Sequence, residues 1–393
     1  MPKTVWALGL VSLFMDLSSE LVHALLPVFM TVVLGASMVA VGVVEGIAEA
    51  TASIVKVFSG ALSDKLARRK PLVVLGYGLA ALSKPLFPLA GSVALVLGAR
   101  FMDRIGKGIR GAPRDALIAD VTPEGQRGAA YGLRQALDTT GAVLGPLAAI
   151  ALMLVFASEL RTVLWFAVVP AVIAVAVLLL GVEEPVRPAR QRAAQPISRT
   201  ALREFDRRFW LVAGLGAVMT LARFSEAFLV LRAQDLGIAL ALVPSVLVVM
   251  NLAYTAIAYP AGIAADRGWR KALLVWGFAA LVAADLVIGA TQDRRWFFAG
   301  IVLWGAHMGL TQGLLSTLVA EAAPAHLRGT AFGVFHLVSG AALLAASVLA
   351  GALWSAFGAR WTFYAGAAFT AVALAGLALS WRRGSGETAP RLI

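Results

Sequence analysis

The chain predicts an all-α polytopic membrane protein, twelve transmembrane helices in two pseudosymmetric six-helix bundles. Three observations carry that prediction. The sequence is 60% hydrophobic and 14% charged, outside the range of soluble globular domains. Apolar stretches long enough to cross a hydrocarbon layer of about 30 Å recur between short polar connections. The chain also repeats itself. Gly60-Ala-Leu-Ser-Asp64-Lys65-Leu-Ala67-Arg68-Arg69-Lys70 returns as Gly262-Ile-Ala-Ala-Asp266-Arg267-Gly268-Trp-Arg270-Lys271, at an offset of 202 residues. Asp120-x-x-Pro123-x-x-x-Arg127-Gly128 returns as Glu321-x-x-Pro324-x-x-x-Arg328-Gly329, at an offset of 201. Two halves marked at the same places imply a duplicated membrane bundle, an architecture that moves a substrate through the cleft between its halves.

The predicted spans, in order, are 5–33, 38–62, 71–90, 93–119, 129–156, 162–182, 209–232, 239–264, 272–290, 296–320, 330–356 and 361–381. The first is too long for a cleaved signal peptide and carries Asp16, Glu20 and His23. Six spans (1–182) precede and six (209–381) follow the segment 183–208, which holds seven arginines, four acids and three prolines and reads as a cytoplasmic linker. Residues 382–393 read as a cytoplasmic tail. The net charge of +12 is concentrated in alternate loops, at 65–70, 127–134, 187–208, 267–271, 328 and 382–383, with Arg294 and Arg295 as the main exception. By the positive-inside rule those loops and both termini are cytoplasmic. The charge therefore sets topology in a lipid bilayer and is no nucleic-acid footprint. The expected location is a bacterial-type inner membrane, and the expected state a monomer without cofactor. With no cysteine, disulfides and thiolate chemistry are excluded.

Six plus six helices, a basic central loop and the paired Gly-x-x-x-Asp-(Arg/Lys) loops resemble the major facilitator superfamily. The resemblance covers essentially the whole chain. In the first loop Ala67 stands where that family's signature has glycine, whereas Gly268 keeps it in the second. Arg104-Ile-Gly-Lys-Gly108 in the fourth span is similar to the family's segment associated with proton coupling. Gly141-Ala-Val-Leu-Gly145-Pro146 in the fifth resembles its antiporter motif, with Ala149 and Ile150 replacing the closing glycines. The resemblance implies export by exchange through alternating access, with the substrate near the bilayer midplane against the first, fourth, seventh and tenth spans.

Charges within a bilayer are costly unless they are paired or face water, so each is a site candidate. Asp16, Glu20 and His23 fall within about 60° on one helix face, and Glu45, Glu49 and Lys56 within about 40°. Arg100, Asp103, Arg104, Lys107, Arg110 and Arg114 occupy about a third of the fourth helix, and Arg134 and Asp138 lie on the fifth. At offset 201, Gly108 maps to Gly309 while Arg104, Lys107 and Arg110 map to Gly305, Met308 and Thr311. The frame is duplicated and the charge is not, which assigns ion or substrate chemistry to the first half.

Asp16 and Glu20, one turn apart, each disfavour ionisation of the other. They are the first candidates for proton coupling, with Asp103 and Arg104 beside them. The cavity candidates are His23, Glu45, Glu49, Arg100, Lys107, Arg110, Arg134 and Asp138, joined in the second half by Arg223, Glu226, Asn251, Tyr254, His307, Gln312 and His336. The basic stripe fits either an anionic substrate or internal pairing. Arg223 and Glu226, three apart, are expected to pair, and Phe224, Phe228, Trp304 and Phe335 to offer an apolar wall. Gating candidates are Asp64, Arg68, Asp120, Arg127, Asp266, Arg270, Glu321 and Arg328, carboxylates and cations at helix ends that can latch one face. Gly141 and Gly145 line one stripe for close helix packing, and Pro146 weakens the helix there.

The expected function is proton-coupled efflux of a small organic molecule. A metal ion or chelate held by Asp16, Glu20 and His23 is an alternative. A membrane enzyme or receptor is disfavoured, since no nucleotide-binding loop, His-Glu-x-x-His or Gly-x-Ser-x-Gly is present.

Overall fold

The structure, a computed structural model, describes all residues except 66–67, 124–125, 185–201, 325–326 and 385–393. Most of the predicted linker and tail thus lie outside the described residues. Among those described there is no strand, and twelve helical stretches stand at the twelve predicted spans. They are α1 (Lys3–Val33), α2 (Met38–Lys65), α3 (Lys70–Leu89), α4 (Val93–Val121), α5 (Arg127–Val155), α6 (Leu160–Gly181), α7 (Arg207–Asp235), α8 (Leu240–Ala265), α9 (Arg270–Ala290), α10 (Arg294–Ala322), α11 (Arg328–Phe357) and α12 (Ala359–Gly384). Among the described residues, nine are apolar enough to cross a membrane by composition alone. The fourth is not, because Arg100, Asp103, Arg104, Lys107, Arg110, Arg114, Asp115 and Asp120 interrupt it.

Several helices are interrupted for local reasons. Pro27 removes an amide from α1, which ends as a π-helical turn over Phe29–Val33. Thr31 Oγ1 donates to the carbonyls of Pro27 and Val28 at 3.1 and 3.2 Å. Pro85 breaks α3 after Lys84. The break in α6 frees the Ala167 carbonyl, which accepts from Ser18 Oγ of α1 at 2.6 Å. The seventh helix stops at Ala222 and resumes at Ala227, with the Ser225 amide donating to Ser347 Oγ of α11 at 3.2 Å. Because the helix is broken between Arg223 and Glu226, the three-residue helical spacing behind their expected pairing does not exist here.

Contacts divide the chain into two compact units. One comprises Met1–Ala36, Ile47–Pro196 and Ala239–Ser245, the other Ser37–Gly46, Ile197–Ile238 and Val246–Ile393. The first unit's core joins Val5, Leu8, Val11 and Met15 of α1 to Val73 and Tyr77 of α3, Leu117 and Ile118 of α4 and Leu178 of α6. In the second, Phe209 and Val212 of α7 meet Leu274 and Phe278 of α9, Leu318 and Val319 of α10 and Phe335 of α11.

The duplication is written into this packing. A Cβ on Gly76 would lie 2.7 Å from both Arg110 Cβ and the Gly106 carbonyl, so α3 and α4 touch backbone to backbone. A Cβ on Gly277, 201 residues on, meets Thr311 and approaches the His307 carbonyl, the positions equivalent to Arg110 and Gly106. Gly108 faces Val55 and the Ala52 carbonyl, and Gly309 faces Ile257 and the Tyr254 carbonyl. The neighbours repeat although their side chains do not.

Gly268 has φ +90°, where a Cβ is strained. Gly268→Ala is expected to cost about 1 kcal/mol, read as a lowered unfolding midpoint of the purified protein in detergent. Gly262→Ala, with nothing within 4 Å of the added carbon, is the control.

Candidate functional site

Helix α5 lies against α1 where two glycines allow it. A Cβ on Gly141 would sit 2.3 Å from the Leu13 carbonyl oxygen, and one on Gly145 2.8 Å from both the Leu17 carbonyl oxygen and Glu20 Cβ. The stripe grips the turns of α1 that carry Asp16 and Glu20, one turn before Pro146 interrupts the α5 ladder. Sequence spacing predicted a close approach; its partner is the acid-bearing face.

The charges of the first unit are largely committed to one another. Lys84 Nζ donates to Asp103 Oδ1 at 2.7 Å and to Ser19 Oγ at 3.0 Å, and Lys84 is only 1% exposed. Arg104 contacts Glu49 Oε1 at 3.2 Å and Asp103 Oδ2 at 3.9 Å. Arg110 stacks on the Tyr77 ring at 4.5 Å. Arg114 donates to Asp115 at 2.9 Å and to Ser12 Oγ at 3.2 Å, and Arg134 bridges to Asp138 at 3.4 Å and Asp115 at 3.7 Å. Glu20 and His23 face each other at 3.3 Å. Glu45 and Arg100 are buried beside this network.

Two members stand apart. Asp16 is half-buried and, among the described residues, has no hydrogen bond or ion pair; Asp138, Lys107, Arg110 and Glu20 are the charged groups that act on it. Lys107 is exposed, the least buried cation of the α4 stripe, and acts electrostatically on Asp16, Glu20 and Glu49. Asp16, Glu20 and His23 do not assemble a metal-holding group: among the described residues no three acidic, histidine or cysteine side chains do.

In the second unit the candidates are dispersed. His307 is buried, donating from Nδ1 to the Gly277 carbonyl at 2.9 Å, while its own carbonyl accepts from Thr311 Oγ1 at 2.8 Å. Arg223, Glu226, Asn251, Tyr254, Gln312 and His336 are half-buried, with His336 set between Phe332 and Phe335. Phe224, Phe228 and Trp304 pack on one another as core, and Phe335 is buried against Gly216, so the expected apolar wall is interior packing.

The duplicated twelve-helix frame has counterparts among known proteins. The Major Facilitator Superfamily model matches residues 8–231 and again residues 212–392. The chain belongs to the Major Facilitator Superfamily. It is 30% identical over 358 residues to an uncharacterized MFS-type transporter of Methanocaldococcus jannaschii, covering 90% of this chain and 88% of that protein. It is 25% identical over 382 residues to the inner membrane transport protein YajR of Escherichia coli, covering 94% of this chain and 81% of that one. Its fold matches the crystal structure of a POT family transporter at a TM-score of 0.81, with 13% identity and 97% of each chain covered. The protein is an integral membrane transporter with an alternating-access fold.

The side chains of Asp64, Asp266, Glu321 and Arg328 lie outside those described. Asp120 pairs with Arg69 at 3.4 Å, and Arg127 Nε donates to the Ala119 carbonyl at 3.3 Å. Arg270 is half-buried at the start of α9. Arg68 is exposed and lines a groove of about 520 Å³ with Lys70, Val182 and Glu184. The Glu184 carboxylate accepts from the Arg69 amide, and from the Lys70 amide at 2.9 Å, capping the α3 N-terminus.

Sequence reasoning missed four participants. Lys84 is a lone cation in an apolar span, so the rule applied to α4 flags it equally. Tyr77 carries no such signal; its role depends on Arg110 and Arg114 converging on it. Arg232 is buried and donates to the carbonyls of Ile288 and Thr291 at 3.3 and 2.8 Å, closing the end of α9. Asp285, a lone acid in the ninth span, was equally legible.

Proposed function

We propose that the protein is a proton-coupled exporter of a small organic anion, with Asp16 carrying the proton and Lys107 the anionic group. One observation supports this above the rest: neither Asp16 nor Lys107 is held in an ion pair among the described residues, whereas Lys84 and Asp103, Arg104 and Glu49, and Arg134 and Asp138 are paired around them. A carboxyl that loses its proton beside an exposed ammonium neutralises it and releases the anion; regaining the proton frees the ammonium again. Exchange of proton for substrate follows from that competition. Glu20, Asp103 and Arg104 shape the field around Asp16, and the Gly141–Gly145 stripe keeps α5 and Asp138 against it. The antiporter-like motif supports export, and alternate basic loops support cytoplasmic termini in a bacterial-type inner membrane. Asp64, Arg68, Asp120, Arg127, Asp266, Arg270, Glu321 and Arg328 are the gating set in this reading, and the transporter works as a monomer.

The test is proton movement in proteoliposomes with a pH dye inside, during addition of a panel of organic anions and amphiphiles. A substrate-evoked pH change is expected in the wild type and its abolition in Asp16→Asn. Lys107→Gln is expected to raise KM for the anion at least tenfold. Substrate flux without proton movement, undiminished in Asp16→Asn, would sink the reading.

A further inference from the structure

We infer that Asp285 of α9 is a second proton-binding site, holding its proton inside an aromatic cluster beside the break in α7. This goes beyond the reading of the first unit and does not depend on it. Asp285 is fully buried (0% exposed), and neither carboxylate oxygen has a hydrogen-bond partner among the described residues. Its Oδ2 and Phe224 Cε1 crowd the space in front of Gly366 of α12, where a Cβ would lie 2.5 and 3.1 Å from them. Phe224 in turn packs on Phe228, Trp304 and Phe363, at ring separations of 5.7, 5.3 and 5.4 Å. The carboxyl therefore sits among rings, on a helix that spans the membrane, with a glycine leaving just the room it occupies.

Among the described residues no cation answers it. On α7, Arg232 is held by Asp235 and by the carbonyls of Ile288 and Thr291, and Arg223 and Glu226 lie at the break. On α10, His307 Nδ1 donates to the Gly277 carbonyl and Arg294 to the Gly237 carbonyl at 2.7 Å, with Arg295 at the helix start. On α12 the charged neighbour is Arg360, at the helix start, and on α9 itself Arg270 and Lys271 are at the opposite end. An ionised carboxylate this deeply buried, with no counter-charge among the described residues, is costly, so the group is the neutral acid. Losing the proton demands that a donor be brought in. One orphan donor of the cluster is Trp304 Nε1, buried and without a partner among the described residues, with Phe224 against its ring. Movement of Phe224, which sits in the non-helical link of α7, would let indole N–H and carboxylate meet. Proton release at Asp285 is thereby tied to repacking of the α7 break.

The full-length protein in lipid nanodiscs provides the test. Infrared spectra at neutral pH are expected to show a protonated-carboxyl C=O band that shifts in D2O and is absent from Asp285→Asn. The unfolded chain exposes the group to water, where it ionises near pH about 4, so unfolding releases a proton. Wild-type stability should accordingly fall relative to Asp285→Asn as pH rises, by about tenfold in the unfolding constant per pH unit while the folded acid keeps its proton. Asp285→Leu, a neutral apolar replacement, is expected to fold as well and to abolish the same slope. No difference in the carboxylic-acid band, or variants less stable than wild type by a constant margin at every pH, would show an ionised structural aspartate and overturn the inference.

Discussion

Lys84→Met is expected to destabilise the protein by about 3–5 kcal/mol, because it strands the Asp103 carboxylate in a nearly dry interior. The pair is 2.7 Å apart with side chains 1% and 4% exposed. Among the described residues, Arg104 Nε at 3.9 Å and the more distant Arg100 charge are left to answer Asp103, and Arg104 is already engaged with Glu49. Asp103→Leu should cost a similar amount by stranding the ammonium. The double variant should recover most of the loss, to within about 1 kcal/mol of wild type, because removing both charges also removes both desolvation penalties. Denaturant midpoints of the purified protein in detergent read all three. A double variant no better than the worse single one would mean that Lys84 and Asp103 contribute separately, through Ser19 or through packing.

The second large effect belongs to Gly141. Its added carbon would lie 2.3 Å from a backbone oxygen of α1 rather than against a mobile side chain, so α5 must move off α1. Gly141→Ala is expected to cost about 1–3 kcal/mol, and Gly141→Val to lose transport as Asp138 withdraws from Asp16. Gly132→Ala on the same helix is the matched control, since nothing lies within 4 Å there. That change should be neutral or stabilising by about 0.5 kcal/mol, from helix propensity alone. Equal effects at the two glycines would show that the close approach carries no energy.

How much of this was legible follows from what periodicity can and cannot encode. Composition, span length and loop charge are properties of the chain itself, so twelve helices were readable in order, even α4 with its eight charges. The α7 break was not. It has no proline, and the Ser225 amide is satisfied by Ser347, more than a hundred residues away. The expected pairing of Arg223 and Glu226 rested on a helical spacing that this break removes. Stripe arguments put the acids and bases on the right faces but not with the right partners. Arg104 goes to Glu49, while Asp103 turns to Lys84, which becomes available because Pro85 ends the regular helix beside it. The aromatic wall turned out to be core because ring positions on a helix look the same whether they face a neighbour or a cavity.

The repeated glycine contacts also fix where the chain length was allowed to vary. Equivalent positions in α2 and α8 are 202 residues apart, and those in α3–α4 and α9–α10 are 201 apart. The second copy is therefore one residue shorter somewhere between Asp266 and Gly277. One residue removed inside α9 would rotate everything beyond it by about 100° and swing Gly277 away from Thr311. Removed from the connection, it leaves both helices in phase and asks only for a sharper turn, which Gly268 supplies at φ +90°. Splicing between the halves should follow the same rule: junctions in connections can absorb a length mismatch, and junctions within helices must conserve it to the residue.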